Sequence, residues 1–449
     1  MTDTITLRAP SSKSVSHRML IAAALAKGSS AVSHALESKD LERTRALLCG
    51  AGAVIAPQGE AGCYTVTGMP GLPKGGTEAS PLDCDVHESG TTCRILTAVL
   101  AAGTGSFRIH GAGRMHDRPI GALTDVLCQL GIRVQFEGKT GCPPFLLSSQ
   151  GIEGGTVSIG MDESSQYLSG LLLAAPLAAH GLTIELGGRK IVSWPYVGLT
   201  LQTLEDFGIP FTVEERESPD APWKKADWHA VTEARPGCLR FIVPHADYRA
   251  GSYAVEGDWS GASYLLAAGA VGPHPVKVLG LRADSLQGDK AIIDILGAMG
   301  AKVTKNADGS IDVAPAPLHG IEVDMGACPD LVPTVASVAA YAEGPTRIYN
   351  VAHLRLKESD RIAAPAAELR KAGVRVDEHD DGMTVYGLAG TETPRPAAPE
   401  GTLFSTHGDH RIAMSLALLE LGGSRLTYDD PAVVSKSFPT FWKVWDALR

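Results

Sequence analysis

One pattern recurs six times and limits what this chain can fold into: a short Ala/Leu-rich segment, a glycine, then a strand-like run. The copies begin at Met19 (MLIAAALAKGSSAV), Ile95 (ILTAVLAAGTGSFRI), Tyr167, Ala262, Val332 and Ile412 (IAMSLALLELGGSRLTY). Their glycines are Gly28, Gly103, Gly181, Gly272, Gly344 and Gly422, roughly 70 to 90 residues apart. A glycine just past the last apolar residue reads as a helix stop in the left-handed cap conformation. A second, more amphipathic element reads Leu, three residues, Gly and a short strand, with Gly52, Gly131, Gly208, Gly300 and Gly373; it has no clean sixth copy. Each unit therefore holds a buried helix and a half-exposed helix, both followed by strands. Helices apolar on every side must be covered all round. Six of them fit poorly in one shell, whereas three and three give two domains. A six-unit solenoid is the alternative, disfavoured because the units lack an amphipathic stacking face on both helices.

Composition supports a globular chain. Of 449 residues, 44% are hydrophobic and 20% charged, enough for two or three domains with real cores. The net charge of −10 argues against nucleic acid or an anionic membrane as partner, so any anion site must be a local basic cluster. The eight cysteines form no CxxC pair and no zinc spacing, as expected of reduced thiols in a cytoplasmic protein. Met1 to Pro10 alternates like a strand and holds Asp3 and Arg8, unlike a signal peptide. The longest apolar run, Leu171 to Ala179, is too short to cross a bilayer. The polar stretches 214–237 and 391–399 read as an insertion and a loop.

Reactive residue types gather where the apolar helices begin: SSKSVSHR (11–18), ESGTTCR (88–94), DESSQY (162–167), EGDWSGAS (256–263), CPD (328–330) and GDHR (408–411). Helix starts carry free N–H groups and a positive dipole end, which suits anions. Ser260, Thr91 and Asp330 read equally well as N-caps. Capping does not account for Lys13, Arg18, Arg94 and Arg411, because cations are unfavourable there; each is expected to have an anionic partner. Further basic residues sit in GAGRMHDRPIG (Arg114, Arg118), LRLKESDR (Lys357, Glu358, Arg361) and VSKSFP (Lys436). Interleaved with Gly, Ser, Pro and acids, they suit fixed phosphate and carboxylate contacts. There is no GxxxxGK[ST] loop, and GAGAVI from Gly50 lacks a third glycine. Cys93, alone on an apolar helix, reads as packing.

Together, SKSxSxR, SGTT, GRMxxRPIG, SSQ, EGDxSxAS, LRLKESDR, GDHRIAM and SKSFP, in this order, resemble the 5-enolpyruvylshikimate-3-phosphate synthase family. The resemblance implies an α/β, two-domain enolpyruvyl transferase fold, each domain built from three βαβαββ-type units with buried parallel helices. It implies one domain at 11–252 and another from 1–10 with 253–449, crossings near Ser11 and Ser252, and an active site in the cleft between them. The implied reaction moves the enolpyruvyl group of phosphoenolpyruvate to the 5-hydroxyl of shikimate 3-phosphate and releases phosphate. By motif position, Ser14, Arg18, Ser164, Ser165, Gln166 and Ser193 are expected on shikimate 3-phosphate, with Tyr196 stacking nearby and His353 and Lys357 beside it. Gly90, Arg114, Gln166, Arg361, Arg411 and Lys436 are expected on phosphoenolpyruvate, with Lys13 between the two ligands. Asp330, also a shikimate 3-phosphate contact, and Glu358 match the family's acid/base pair.

Such chemistry needs one carboxyl protonated and another ionised on opposite sides of the reacting centre. Clustered cations stabilise the departing phosphate without a metal, so no cofactor is expected. The expected partners are small molecules only, bound by a monomer. In the family the inhibitor glyphosate competes with phosphoenolpyruvate beside the glycine of the SGTT-type motif, here Gly90. Three positions depart from the family pattern: Glu88 and His353 stand where Asn is usual, and Ile95 where many members have Pro. A carboxylate at position 88 is expected to neutralise a neighbour such as Arg94. Lys13-Ser14 and the SSQ motif separate the chain from the related UDP-N-acetylglucosamine enolpyruvyl transferases, which have Lys-Asn in the first motif. A non-catalytic anion binder on the same scaffold would be expected to have lost one of Asp330, Glu358 and Lys13.

Overall fold

The computed structural model describes residues 4–231, 234–423 and 425–449. Met1–Asp3 of the expected first strand, Thr232 and Glu233 of the expected insertion, and Ser424 of the last repeat lie outside the described residues. Six helices carry the repeated apolar segments: α1 (Lys13–Leu25), α2 (Gly90–Ala101), α3 (Gln166–Ala174), α4 (Trp259–Val271), α5 (Val332–Ala339) and α6 (His410–Ala417). Every residue of α4, α5 and α6 is buried. At about 1.5–3 kcal/mol for each large apolar side chain removed from water, these helices dominate the stability of the chain.

The chain divides into two compact units. The first is Lys13–Val255 and holds α1–α3; the second joins the segment ending at Ser12 to Glu256–Arg449 and holds α4–α6. The second repeat gives the common plan. Strand 82–85 leads into α2, and strand 104–110 returns parallel to it. After the helix Gly121–Gln129, strands 133–136 and 145–150 form a hairpin whose second arm pairs antiparallel with 104–110. The first and fourth repeats borrow their leading strand. Strand 252–254 runs parallel to 29–33, and strand 5–8 runs parallel to 276–279. Each unit is thereby closed by a strand remote in sequence. These pairings also set the divisions between the units. Ser11 bridges to Gly257, and the Asp258 N–H bonds the Pro10 carbonyl at 2.7 Å. The divisions fall after Ser12 and after Val255, one residue from Ser11 and three from Ser252.

The sixth repeat explains the missing sixth amphipathic copy. Its described residues pair only strands 403–404 and 427–428, and a 3₁₀ turn and a five-residue helix, Phe441–Trp445, follow. Among the described residues of the insertion, strand 224–226 pairs antiparallel with 212–215. Trp223 lies between the guanidinium groups of Arg216 and Arg240, 4.1 and 4.5 Å from its ring centre. Residues 391–399 contain no helix or strand. The stop glycines do not all serve as left-handed caps. Gly28, Gly181 and Gly344 have positive φ, whereas Gly103, Gly272 and Gly422 do not. At Gly103 close approach is the reason, since a Cβ would fall on the Pro73 carbonyl oxygen.

A second close approach bears on the site. Gly170 of α3 faces α2, and a Cβ there would lie 3.0 Å from Ala98 Cβ and 3.1 Å from the Arg94 carbonyl oxygen. This separation lets side chains at the starts of α2 and α3 meet. Gly170→Leu is expected to lower the unfolding free energy by about 1–3 kcal/mol through overpacking, more than the ~1 kcal/mol that replacing a helical glycine returns. Denaturant titration reads this; an unchanged midpoint would mean that Gly170 does not set the spacing.

Candidate active site

In the first unit the polar residues cluster at the starts of α1, α2 and α3. Lys13 Nζ lies 3.4 Å from Asp40 Oδ2, on the helix Lys39–Gly50. Arg18 is buried in α1. Its Nε donates to Thr200 Oγ1 at 2.8 Å, Nη2 to Ser169 Oγ at 3.1 Å and the Tyr196 carbonyl at 3.0 Å, and Nη1 to the Ser14 carbonyl at 2.9 Å. Burial draws its pKa down to about 10, against the opposing pull of Tyr196. Arg94 donates to the Pro119 carbonyl at 3.1 Å and to Gln166 Oε1 at 3.1 Å, and Gln166 Nε2 donates to Thr91 Oγ1 at 2.8 Å. An anionic partner thus exists for Lys13, while the hydrogen-bond acceptors of Arg18 and Arg94 are neutral oxygens. The Glu88 carboxylate lies against Gly113.

Ser164 Oγ accepts from the Gln166 N–H at 3.2 Å, and Ser165 is buried just before α3. Ser193 is buried with φ of 56°, one residue before Trp194, whose Nε1 donates to the Val231 carbonyl at 3.0 Å. The insertion therefore anchors the segment that carries Ser193 and Tyr196. Thr91 is not the cap of α2; Ser89 is, accepting from the Thr92 N–H. Arg114 and Arg118 belong to one motif and stand in different surroundings. Arg114 is exposed on a 3₁₀ turn, whereas Arg118 at its end is buried, donates to the Glu88 carbonyl at 3.2 Å, and packs against Gly90. A Cβ on Gly90 would overlap the Arg118 guanidinium. Cys93 is a packing residue: burial pushes its thiol up to about 11, although Arg94 and Arg118 pull the other way.

In the second unit the cluster is an ion cage around the buried Arg361. Nη1 lies 2.9 Å from Asp330 Oδ1, Nη2 2.9 Å from Glu358 Oε2, and Nε 2.8 Å from Asp409 Oδ2. Arg411 Nη2 lies 2.7 Å from Asp330 Oδ2, and Lys436 Nζ 3.6 Å from Glu358 Oε1. Burial by itself would raise the Asp330 carboxyl, but Arg411 and Arg361, with Lys357, hold it well below the usual carboxylate range. Burial likewise opposes the charge on Arg361, and Asp409, Glu358 and Asp330 overcome it. Asp330 sits in a one-turn 3₁₀ segment, Pro329–Leu331, and pairs with guanidiniums instead of capping. Ser260 is not a cap either. Asp258 accepts from the N–H groups of Ser260 and Gly261, while the Ser260 hydroxyl donates to Asp289. Burial and the charge of Asp330 raise Asp289 to about 7. His353 is buried in the turn 352–356, and Lys357 follows it, half-buried.

Asp40, Asp409, Ser169 and Thr200 belong to these clusters and were not singled out as site residues by the sequence, whereas Arg118 was named among the basic residues suited to anion contacts. Asp409 and Arg118 lie inside quoted motifs. Ser169 and Thr200 are 151 and 182 residues from the Arg18 they hold, so no local pattern marks them.

The fold and the two clusters define an enolpyruvyl transferase. An EPSP synthase structure from Acinetobacter baumannii superposes with a TM-score of 0.76 at 24% identity, covering 99% of this chain and 95% of that one. An enolpyruvyl transferase from Streptomyces tendae superposes with a TM-score of 0.69 at 18% identity, covering 100% and 95%. The chain belongs to the EPSP synthase (3-phosphoshikimate 1-carboxyvinyltransferase) family, whose pattern matches residues 4–225 and 233–445. The 3-phosphoshikimate 1-carboxyvinyltransferase of Thiobacillus denitrificans is 38% identical over 98% of this chain and 96% of its own length. That of Marinomonas sp. is 36% identical over 98% and 96%.

Asp409, fully buried, tests the cage. Removing one partner of a buried ion pair costs about 3–5 kcal/mol, because the other charge stays buried. Asp409→Asn is expected to lose that amount in denaturant unfolding. Burial opposes ionisation of Asp409, yet Arg361 holds its pKa below the ordinary value, as it does for Asp330. Stability from such a carboxylate is fully present above the unfolded pKa, about 3.9, and is lost as pH falls through the folded value. The variant should therefore show a shallower fall in stability below about pH 4. A loss under ~1 kcal/mol with a wild-type acid limb would show that Asp409 does not hold Arg361 in place.

Proposed function

We propose that this chain transfers the enolpyruvyl group of phosphoenolpyruvate to the 5-hydroxyl of shikimate 3-phosphate, and that the clusters of both units act on this substrate pair. The observation that carries the assignment is the pairing of Asp330 and Glu358 on one guanidinium, flanked by Arg411 and Lys436. In the addition step the methylene carbon gains a proton, the 5-hydroxyl loses one, and its oxygen bonds to C2. In the elimination step the C2–O bond to phosphate breaks and the new methyl group returns a proton, restoring the double bond. The atoms balance without an oxidant, reductant or group carrier.

The division of labour follows from charge. Asp330, held ionised by Arg411 and Arg361, accepts from the 5-hydroxyl. Glu358 begins as a carboxylate bonded to Arg361 and Lys436. Four hydrogen bonds from Arg361 already reach Asp330, Glu358 and Asp409. A guanidinium has five N–H donors, so a substrate anion that takes more than one of them from Arg361 does so in exchange for one of these carboxylates. If phosphoenolpyruvate displaces Glu358, that carboxyl loses its cations and its proton affinity rises, which equips it to protonate carbon. Arg114, Gln166, Arg411 and Lys436, with Gly90, complete the phosphoenolpyruvate contacts. Arg18, a buried guanidinium with neutral partners, is suited to the shikimate phosphate; Ser164, Ser165, Gln166, Ser193, Tyr196, His353 and Lys357 are assigned to the same ligand. Lys13 lies between the ligands. The protein works as a cytoplasmic monomer on small molecules; among the described residues no helix is long and apolar enough to cross a membrane.

Phosphate release from phosphoenolpyruvate plus shikimate 3-phosphate, followed by a coupled assay, tests the assignment; no release at saturating substrates would reject it. Glu358→Gln is expected to keep shikimate 3-phosphate binding but to stop solvent deuterium entering the methylene position. Deuterium entry at near the wild-type rate would assign the proton donor elsewhere, with Lys13 next. Asp330→Asn is expected to slow turnover and also weaken shikimate 3-phosphate binding. A methyl at position 90 must displace Arg118, so Gly90→Ala is expected to raise the glyphosate inhibition constant more than the phosphoenolpyruvate KM. Equal changes in both would remove Gly90 from that subsite.

A further inference from the structure

A buried polar network beneath α1 has no part in the chemistry described so far. His17, on α1, places Nδ1 2.8 Å from Thr44 Oγ1 on the helix Lys39–Gly50. Thr44 Oγ1 lies 2.8 Å from Thr92 Oγ1 on α2, and Thr92 Oγ1 lies 2.7 Å from Ser89 Oγ. Thr92 Oγ1 also lies 3.3 Å from the Asp40 carbonyl oxygen. None of the four side chains belongs to a residue more than 1% exposed.

One end of the network fixes the direction of every bond in it. A carbonyl only accepts, so the Thr92 hydroxyl donates to Asp40. That hydroxyl has one proton, so it accepts from both Ser89 and Thr44. Thr44 has then given its own proton away and must accept from His17, so the imidazole proton sits on Nδ1. Ser89 oxygen in turn accepts from the Thr92 N–H at 3.3 Å, completing the cap of α2. His17 Nε2 has no hydrogen-bond partner among the described residues. Protonating it would leave a buried N–H without an acceptor. Burial, with Lys13 and Arg18 adding, holds the His17 pKa well below its usual value. The ring is neutral and its tautomer is fixed.

We propose that His17 is a positioning residue for phosphoenolpyruvate: through Nδ1–H and the hydroxyls of Thr44 and Thr92 it fixes the Ser89 cap that places Gly90 and the Asp40 backbone whose side chain holds Lys13. The inference rests on the assignment above of Gly90 to phosphoenolpyruvate and of Lys13 between the two ligands. Among the described residues Arg18, Ser164 and Ser193 make no hydrogen bond to the network, so Lys13 apart, the shikimate 3-phosphate contacts are insulated from it.

Thr44→Val removes the middle hydroxyl at almost constant shape, and Thr44 is not a substrate contact in this assignment. In the full-length protein it is expected to raise the KM for phosphoenolpyruvate about tenfold, as loss of one buried hydrogen bond allows, with the KM for shikimate 3-phosphate changed less than about twofold. His17→Leu is expected to match it. His17→Asn, whose side-chain N–H can replace Nδ1–H, is expected to restore most of the wild-type KM. In protein labelled with nitrogen-15 histidine, magnetic resonance is expected to show His17 as the neutral Nδ1–H tautomer. An unchanged phosphoenolpyruvate KM in Thr44→Val, or an equal rise in both KM values, would overturn the proposal; so would an Nε2–H tautomer. Wild-type protein that releases no phosphate from the two substrates would instead overturn the assigned reaction, and the tautomer would still report on the network.

Discussion

A helix that is apolar on all sides can present polar chemistry only at its ends. That constraint governs both the architecture and the site. The sides of α4, α5 and α6 are fully covered, so sheets and partner helices surround them, and their repeats close on strands brought from far along the chain. The starts of the buried helices then become the places where Lys, Arg and Asp gather beside the core. Catalytic groups and core thus share the same helices.

The two units handle buried charge differently. Arg361 is neutralised inside its own unit by three carboxylates, so its guanidinium is fixed before any ligand arrives. Such a cage favours a defined geometry over raw stability, since desolvating several ions offsets much of their attraction. Arg18 is held by hydroxyls and carbonyls alone. Its charge is positioned by neutral oxygens and draws in an anion more strongly for that reason. In the proposed assignment the Arg361 cage serves as an acid/base cluster and Arg18 as a cation held for a phosphate.

Much of this was legible in the residues themselves. Apolar periodicity and glycine spacing gave the six repeats, and the absent sixth amphipathic copy matches the short last repeat. Motif order identified Asp330, Glu358, Arg361 and Arg411, which the structure gathers around one guanidinium pair. Local spacing left some choices open that packing decided. Arg114 and Arg118 lie in one motif, and only the 3₁₀ turn between them decides which is buried against Gly90. Ser260, Thr91 and Asp330 have capping side chains, but a longer-range partner claimed each of them.

The sequence by itself determined what depends on neighbours along the chain: which helices are buried, where they begin, and which reactive residues stand at those beginnings. Only the tertiary structure decided which groups meet. The Lys13–Asp40 pair, the Arg18 cradle of Ser169 and Thr200, and the hydroxyl path from His17 to Ser89 all join different helices. Side-chain hydrogen bonds depend on separations of about 3 Å, and those separations are set by how closely helices cross, as at Gly170. Pattern along a chain fixes the faces of its helices; the distance between two such faces is a property of the packed whole.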